Sequence, residues 1–198
     1  MRRLGNACRL VGPQRTGHGE LKEAKVMVDR FEVRIDPAHY IHWPGGGGFQ
    51  PVELRVNGSG FIDIVREVEL PHALREYDAR VADGEEASEL GPRGGLAGSY
   101  LYPNGCHVFH PSGNLLGQPY RHGFATDPDD PRNRKSLLLQ CTCGITDCWF
   151  LLATITVSDE TVTWSEFCQF HRDWQYPLGP FVFERRAYEA QLVRSSCA

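Results

Sequence analysis

Five residues in the C-terminal half have the types and spacing to do chemistry: Cys141, Cys143, Cys148, Cys168 and His171. The first three form C-x-C-x4-C, and Cys168 with His171 follows as C-x-x-H. Thiolates and imidazoles are the ligands zinc prefers, and a structural zinc ion takes four of them in a tetrahedron. On a strand, side chains two apart point the same way, so Cys141 and Cys143 share a face. A tight hairpin at Gly144 would return Cys148 beside them. Three sulfurs then converge at the end of a ribbon, with His171 or Cys168 as the candidate fourth ligand. The spacing is not C-x2-C, so two other readings stand beside zinc. One is ordinary buried or semi-exposed thiols, since free cysteine is among the most buried residue types. The other is redox or catalytic thiols.

A catalytic zinc ion would need an open position and a general base. Glu166 is the nearest base in sequence, on the face expected for Cys168. The chain has no H-E-x-x-H and no H-x-E with P-C-x-x-C, so hydrolysis ranks below a structural role. Cys106, His107 and His110 form a weaker cluster, a nucleophile and two bases without a visible orienting group or oxyanion site. His39 and His42 beside Trp43 read as loop histidines. Gly45 to Gly48 lack the Gly-Lys-Ser/Thr of a phosphate loop, and Asp127, Asp129 and Asp130 lack the Gly and terminal Glu of a calcium loop. Aromatic mass is concentrated after Tyr100 and reads mainly as core. Within it, Trp164, Glu166, Arg172 and Trp174 are the candidate contact residues for a partner, and Arg172 beside His171 suits a small anion.

The elements that must position these residues are legible from periodicity. Leu137 to Cys143, Trp149 to Val157 and Val162 to Phe170 read as a three-strand meander. In the third strand, simple alternation puts Val162, Trp164, Glu166, Cys168 and Phe170 on one face. Upstream, Phe31 to Asp36 and Val52 to Val56 alternate as strands, the second stopped by Asn57-Gly58. Phe61, Ile64, Val65 and Val68 mark one face of a helix capped by Ser59. Pro71 is expected to interrupt it and to open a second helix over His72 to Val81. Ala82 to Gly98 reads as a loop, Val108 and Phe109 as a short strand, Phe181 to Phe183 as another, and Glu184 to Val193 as a C-terminal helix. The fold class is therefore α+β: a single domain with a mainly antiparallel sheet, a central helix and a C-terminal helix.

The chain has 198 residues, enough to bury a core without staples. Residues 1–26 lack periodicity and read as a disordered extension, and 27–198 as the domain, with Met27 an alternative translation start. The formal net charge of -4 leaves no basic footprint for nucleic acid or for a membrane surface. No apolar run approaches the ~20 residues of a membrane helix, and the N-terminus lacks an export signal. A cytoplasmic setting follows, in which seven cysteines favour thiols or metal ligands over disulfides.

The motifs C-x-C-G-x3-C-W at 141–149, V-T-W-S at 162–165, H-R at 171–172 and G-P-F-V-F-E-R at 179–185 carry a resemblance. So do V-N-G at 56–58, V-E-L-P at 68–71 and A-G-S-Y at 97–100. In these the chain resembles a family of uncharacterised bacterial proteins, many of them actinobacterial. The resemblance covers roughly Met27 to Leu192 and brings no established activity with it. It implies that Cys141, Cys143, Cys148 and His171 occupy motif positions and that Cys168 is particular to this chain, which favours His171 as fourth ligand. The expectation is a non-enzymatic cytoplasmic protein with a Cys/His zinc site, acting through protein contacts as an immunity-like or accessory factor. A zinc- or thiol-dependent hydrolase built on the same cluster and a metal-free domain are the alternatives.

Overall fold

The computed structural model describes residues 28–43, 46–119, 129–143 and 148–193. The expected extension over 1–26, the Gly144 turn and Asp127 lie outside them. The architecture is α+β. Five strands run antiparallel in the order β10-β9-β8-β7-β6: β6 (Tyr100–Leu101), β7 (Ser136–Cys141), β8 (Leu151–Val157), β9 (Thr161–Gln169) and β10 (Phe181–Glu184). A second sheet pairs β1 (Phe31–Ile35), β4 (Val52–Val56) and β5 (Ser59–Gly60), and β2 (Ile41–His42) pairs with β3 (Gly48–Phe49). Gly48 is required there, because a Cβ would stand 1.9 Å from the Ile41 carbonyl oxygen.

The two larger sheets share one core with the helices α1 (Phe61–Ala82) and α3 (Arg185–Gln191). Phe31, Leu54 and Val56 meet Leu151, Ala153, Trp164 and Phe183 in it, alongside Phe61 and Val65 of α1 and Tyr188 of α3. Trp164 Nε1 donates to the Tyr188 hydroxyl at 2.9 Å, and that hydroxyl donates to Leu115 O at 2.9 Å. The expected meander is thus present, extended by one strand on each side.

Four local expectations are corrected. Pro71 does not interrupt the helix; α1 runs through it for 22 residues. Proline removes one i→i−4 bond, here to Glu67, and both residues are exposed, so water can satisfy the freed carbonyl. Ser59 pairs with Val56 in β5 instead of capping, and Gly60 holds the N-cap position without a side-chain bond. Val108 and Phe109 do not form a strand: α2 (Gly105–Val108) is a single helical turn, capped by the Asn104 side chain.

The fourth correction concerns β9. Val162, Trp164 and Phe167 face the main core, whereas Cys168 and Phe170 pack with Leu137, Phe150 and Leu152 on the opposite side of the sheet. The cause is a β-bulge. Thr154 pairs with Ser165 and Leu152 with Cys168, so β9 spends one residue more than β8 over that interval. Glu166 sits in the bulge at φ 51, the left-handed region. The extra residue reverses the alternation downstream, and the face predicted from Val162 to Phe170 splits in two.

Candidate metal centre

Cys141 ends β7, cross-strand from Tyr100, and Cys148 leads into β8. The cross-strand partner of Cys141, Tyr100, lies in the main core. The sulfurs of Cys141, Cys143 and Cys148 lie within 4.8 Å of one another. Cys141 and Cys148 are 3.5 Å apart, sulfur to sulfur, and the Cys143 N–H donates to Cys141 Sγ at 3.4 Å. Cys141 is buried while Cys143 and Cys148 are exposed. Three thiols at this spacing, one anchored in the sheet and two open to solvent, can hold a metal ion. Burial, with the neighbouring thiols, pushes the Cys141 thiol up to about 12, so in the metal-free state it keeps its proton.

His171 and Cys168 do not join this group. Cys168 points to the opposite face because of the bulge, and its thiol is raised by burial there. His171 is exposed beyond the end of β9, its ring 5.7 Å from Phe150 and 5.1 Å from Phe170, both of the small apolar layer on that opposite face. The fourth ligand expected from sequence is therefore not placed by either residue.

The candidate contact residues divide in the same way. Trp164 is fully buried and belongs to the core. Glu166 is held by Thr154 Oγ1 at 2.8 Å and by Lys135, which together keep its carboxyl below the usual range. It is not part of the group formed by Cys141, Cys143 and Cys148. Arg172 forms a two-pronged ion pair with Glu76 at 2.8 and 2.9 Å and lies over the Trp149 ring at 4.9 Å. Trp174 meets Trp149 edge-on at 6.1 Å and stacks on His72 at 5.7 Å. Arg172 and Trp174 thus make a half-buried aromatic and charged patch next to Cys148, through Trp149.

Sequence reasoning missed Glu69. This carboxylate is fully buried on α1 and accepts from the Tyr100 hydroxyl at 2.6 Å, the Tyr176 hydroxyl at 2.5 Å and Gly98 N at 2.8 Å. Tyr100 links it to the thiol end of the sheet, as the cross-strand partner of Cys141. The available signal was positional: Glu69 falls at i+8 from Phe61 and i+4 from Val65, inside the apolar line of the helix. His39, His42, Cys106, His107 and His110 form no ligand group of three with one another or with the thiols. No helix among the described residues is long and apolar enough to cross a membrane.

Compared with family models, curated proteins and solved structures, the chain matches none of them.

Proposed function

We propose that Cys141, Cys143 and Cys148 hold a zinc ion that clamps the end of the β7–β8 pair, and that the protein acts through contact with a protein partner. The observation that carries the metal reading is the convergence of three sulfurs within 4.8 Å. Soft thiolate ligands favour zinc over magnesium or calcium, and the N–H bond to Cys141 Sγ suits a thiolate bound to metal. The contact reading is supported by the Trp149–Arg172–Trp174 patch, because tryptophan and arginine are the residues on which interfaces most often depend. The setting belongs to the same proposal: a cytoplasmic accessory or immunity-like role in the bacterial family whose motifs the chain resembles.

The test is elemental analysis of protein purified without added metal. About one zinc per chain is expected, with loss of the metal in Cys143→Ser and Cys148→Ser and a lower melting temperature after chelation. Reduced protein free of zinc, melting identically with and without chelator, would refute the metal reading and leave a metal-free domain. X-ray absorption then decides the ion's role. Three sulfurs with a water-derived oxygen would favour the rival hydrolase, and a full set of protein ligands favours the clamp.

A further inference from the structure

A second feature owes nothing to the thiol cluster. A cleft of about 870 Å³ opens between the β2–β3 pair, the start of β4 and the 104–118 segment. Tyr40, Phe49 and Phe109 give it apolar walls, and Gln50, Asn104 and Gln118 bring neutral amides. Cys106, His107 and His110 also line it, and the Cys106 thiol is exposed. None of the described residues lining it is Asp, Glu, Lys or Arg.

The wall is fixed before any ligand arrives. Asn104 Oδ1 accepts from Cys106 N at 3.2 Å and holds the α2 turn. Ser112 Oγ and Asn114 Nδ2 both donate to His107 O, at 3.2 and 3.3 Å. The Asn114 side chain also bonds Leu137 O at 2.8 Å and Leu137 N at 3.0 Å, tying the segment to β7. His110 N donates to Leu192 O at 3.1 Å. A Cβ at Gly105 would stand 3.3 Å from the Phe109 ring, so the turn is packed against its neighbours. A pre-formed, mainly apolar concavity with a few fixed polar groups is the usual form of a small-molecule site.

We propose that this cleft is a ligand site in its own right, for an uncharged molecule with a flat apolar body and a hydrogen-bonding edge, seated against the Cys106 thiol. Among the described lining residues an ionic ligand would find no fixed carboxylate, ammonium or guanidinium as countercharge when it left water. Burial lowers the basicity of His107, so its imidazole is neutral near pH 7 and adds no charge. The amides offer both donors and acceptors, which matches a carbonyl or amide edge on the ligand. The apolar walls match an aromatic body.

Cys106 supplies its own reporter. The full chain is treated with three methanethiosulfonates: benzyl, sulfonatoethyl and trimethylammonioethyl. Each forms a mixed disulfide with the thiol and releases methanesulfinate, and peptide mass spectrometry reads the rate at Cys106. Normalised to a small free thiol, the neutral benzyl reagent should label Cys106 about tenfold faster than either charged one, the gain expected from burying one ring. Tyr40→Ala, at an exposed position, should remove most of that preference. Equal normalised rates for the three reagents would reduce Cys106 to a surface thiol and overturn the proposal. So would a preference that Tyr40→Ala leaves intact.

Discussion

Glu69 carries a carboxylate into a line of α1 that is otherwise Phe61, Val65 and Ala73. Its three donors come from the 98–100 segment and from Tyr176, so one side chain ties α1 to two stretches distant in sequence. Burial raises its pKa, more than the bonds from Tyr100, Tyr176 and Gly98 lower it. The linkage sign follows from that direction. Below the ordinary carboxyl range both folded and unfolded chains hold the proton. As pH rises through the unfolded value, about 4.3, the unfolded chain releases its proton first, and stability falls until the folded pKa is passed. Glu69→Gln should abolish this contribution. Urea unfolding from pH 4 to 8 should show wild type losing ground to the variant across that window, then running parallel. Identical pH profiles would mean that folding leaves the Glu69 pKa where it stands in the unfolded chain. Glu69→Ala, which orphans two hydroxyls and an N–H, should cost about 2–4 kcal/mol at any of these pH values. The residue scale also marks a limit of the sequence. The cysteine trio was legible because its members are close in sequence around a strand end, although β7 stops at Cys141 and Cys143 lies in the turn beyond it, not on the strand expected through 143. Glu69 was not, because a glutamate in an apolar stripe ordinarily reads as a break in the stripe.

At the scale of elements, most strands and helices followed from periodicity, and one failure came from a single residue that alters the backbone without a sequence mark. That residue is Glu166. A bulge residue at positive φ is ordinarily glycine or asparagine, and a glutamate there gives no warning. The error then propagated, since the shifted alternation sent Cys168 to the opposite face and removed it from the thiols. Its side chain bonds are exposed and contribute little, so Glu166→Gly should leave melting nearly unchanged. Glu166→Val, with a branched Cβ in the left-handed region, should lose about 1–2 kcal/mol in denaturant unfolding. Equal effects of the two would argue that the bulge carries no strain. Pro71 is the converse case, a residue whose sequence meaning was overridden. It survives inside α1 because its face is solvated, yet the bond to Glu67 is still missing. Pro71→Ala restores an N–H at that position and should raise stability by about 1–3 kcal/mol, read as a higher melting temperature.

For the molecule as a whole, the question is how far a metal clamp matters to a fold that already has a large core. Trp164, Tyr188, Phe61, Phe183 and Leu54 are fully buried, and they join both larger sheets and both longer helices without reference to the thiols. The trio sits at the end of the β7–β8 pair, where two of its three sulfurs face solvent. In a zinc finger the ion substitutes for a core, and chelation unfolds the chain. Here chelation should loosen one end of a sheet that stays folded. Binding that favours only the folded state adds about 4 kcal/mol when free metal exceeds its Kd a thousandfold. In a domain of this size that corresponds to a melting shift of about 8–16 °C. Hydrogen exchange should localise the effect. After chelation, amides at the C-terminal end of β7 and the N-terminal end of β8 should lose protection, while those of β9 that pair with β10 keep theirs. Global unfolding on chelation would mean that the sheet end nucleates the core, and a shift spread evenly over all strands would mean that the ion acts without a local clamp. The predicted gradient, steep near Cys141 and Cys148 and flat at Trp164, follows directly from where the sequence places its thiols and where it places its largest side chains.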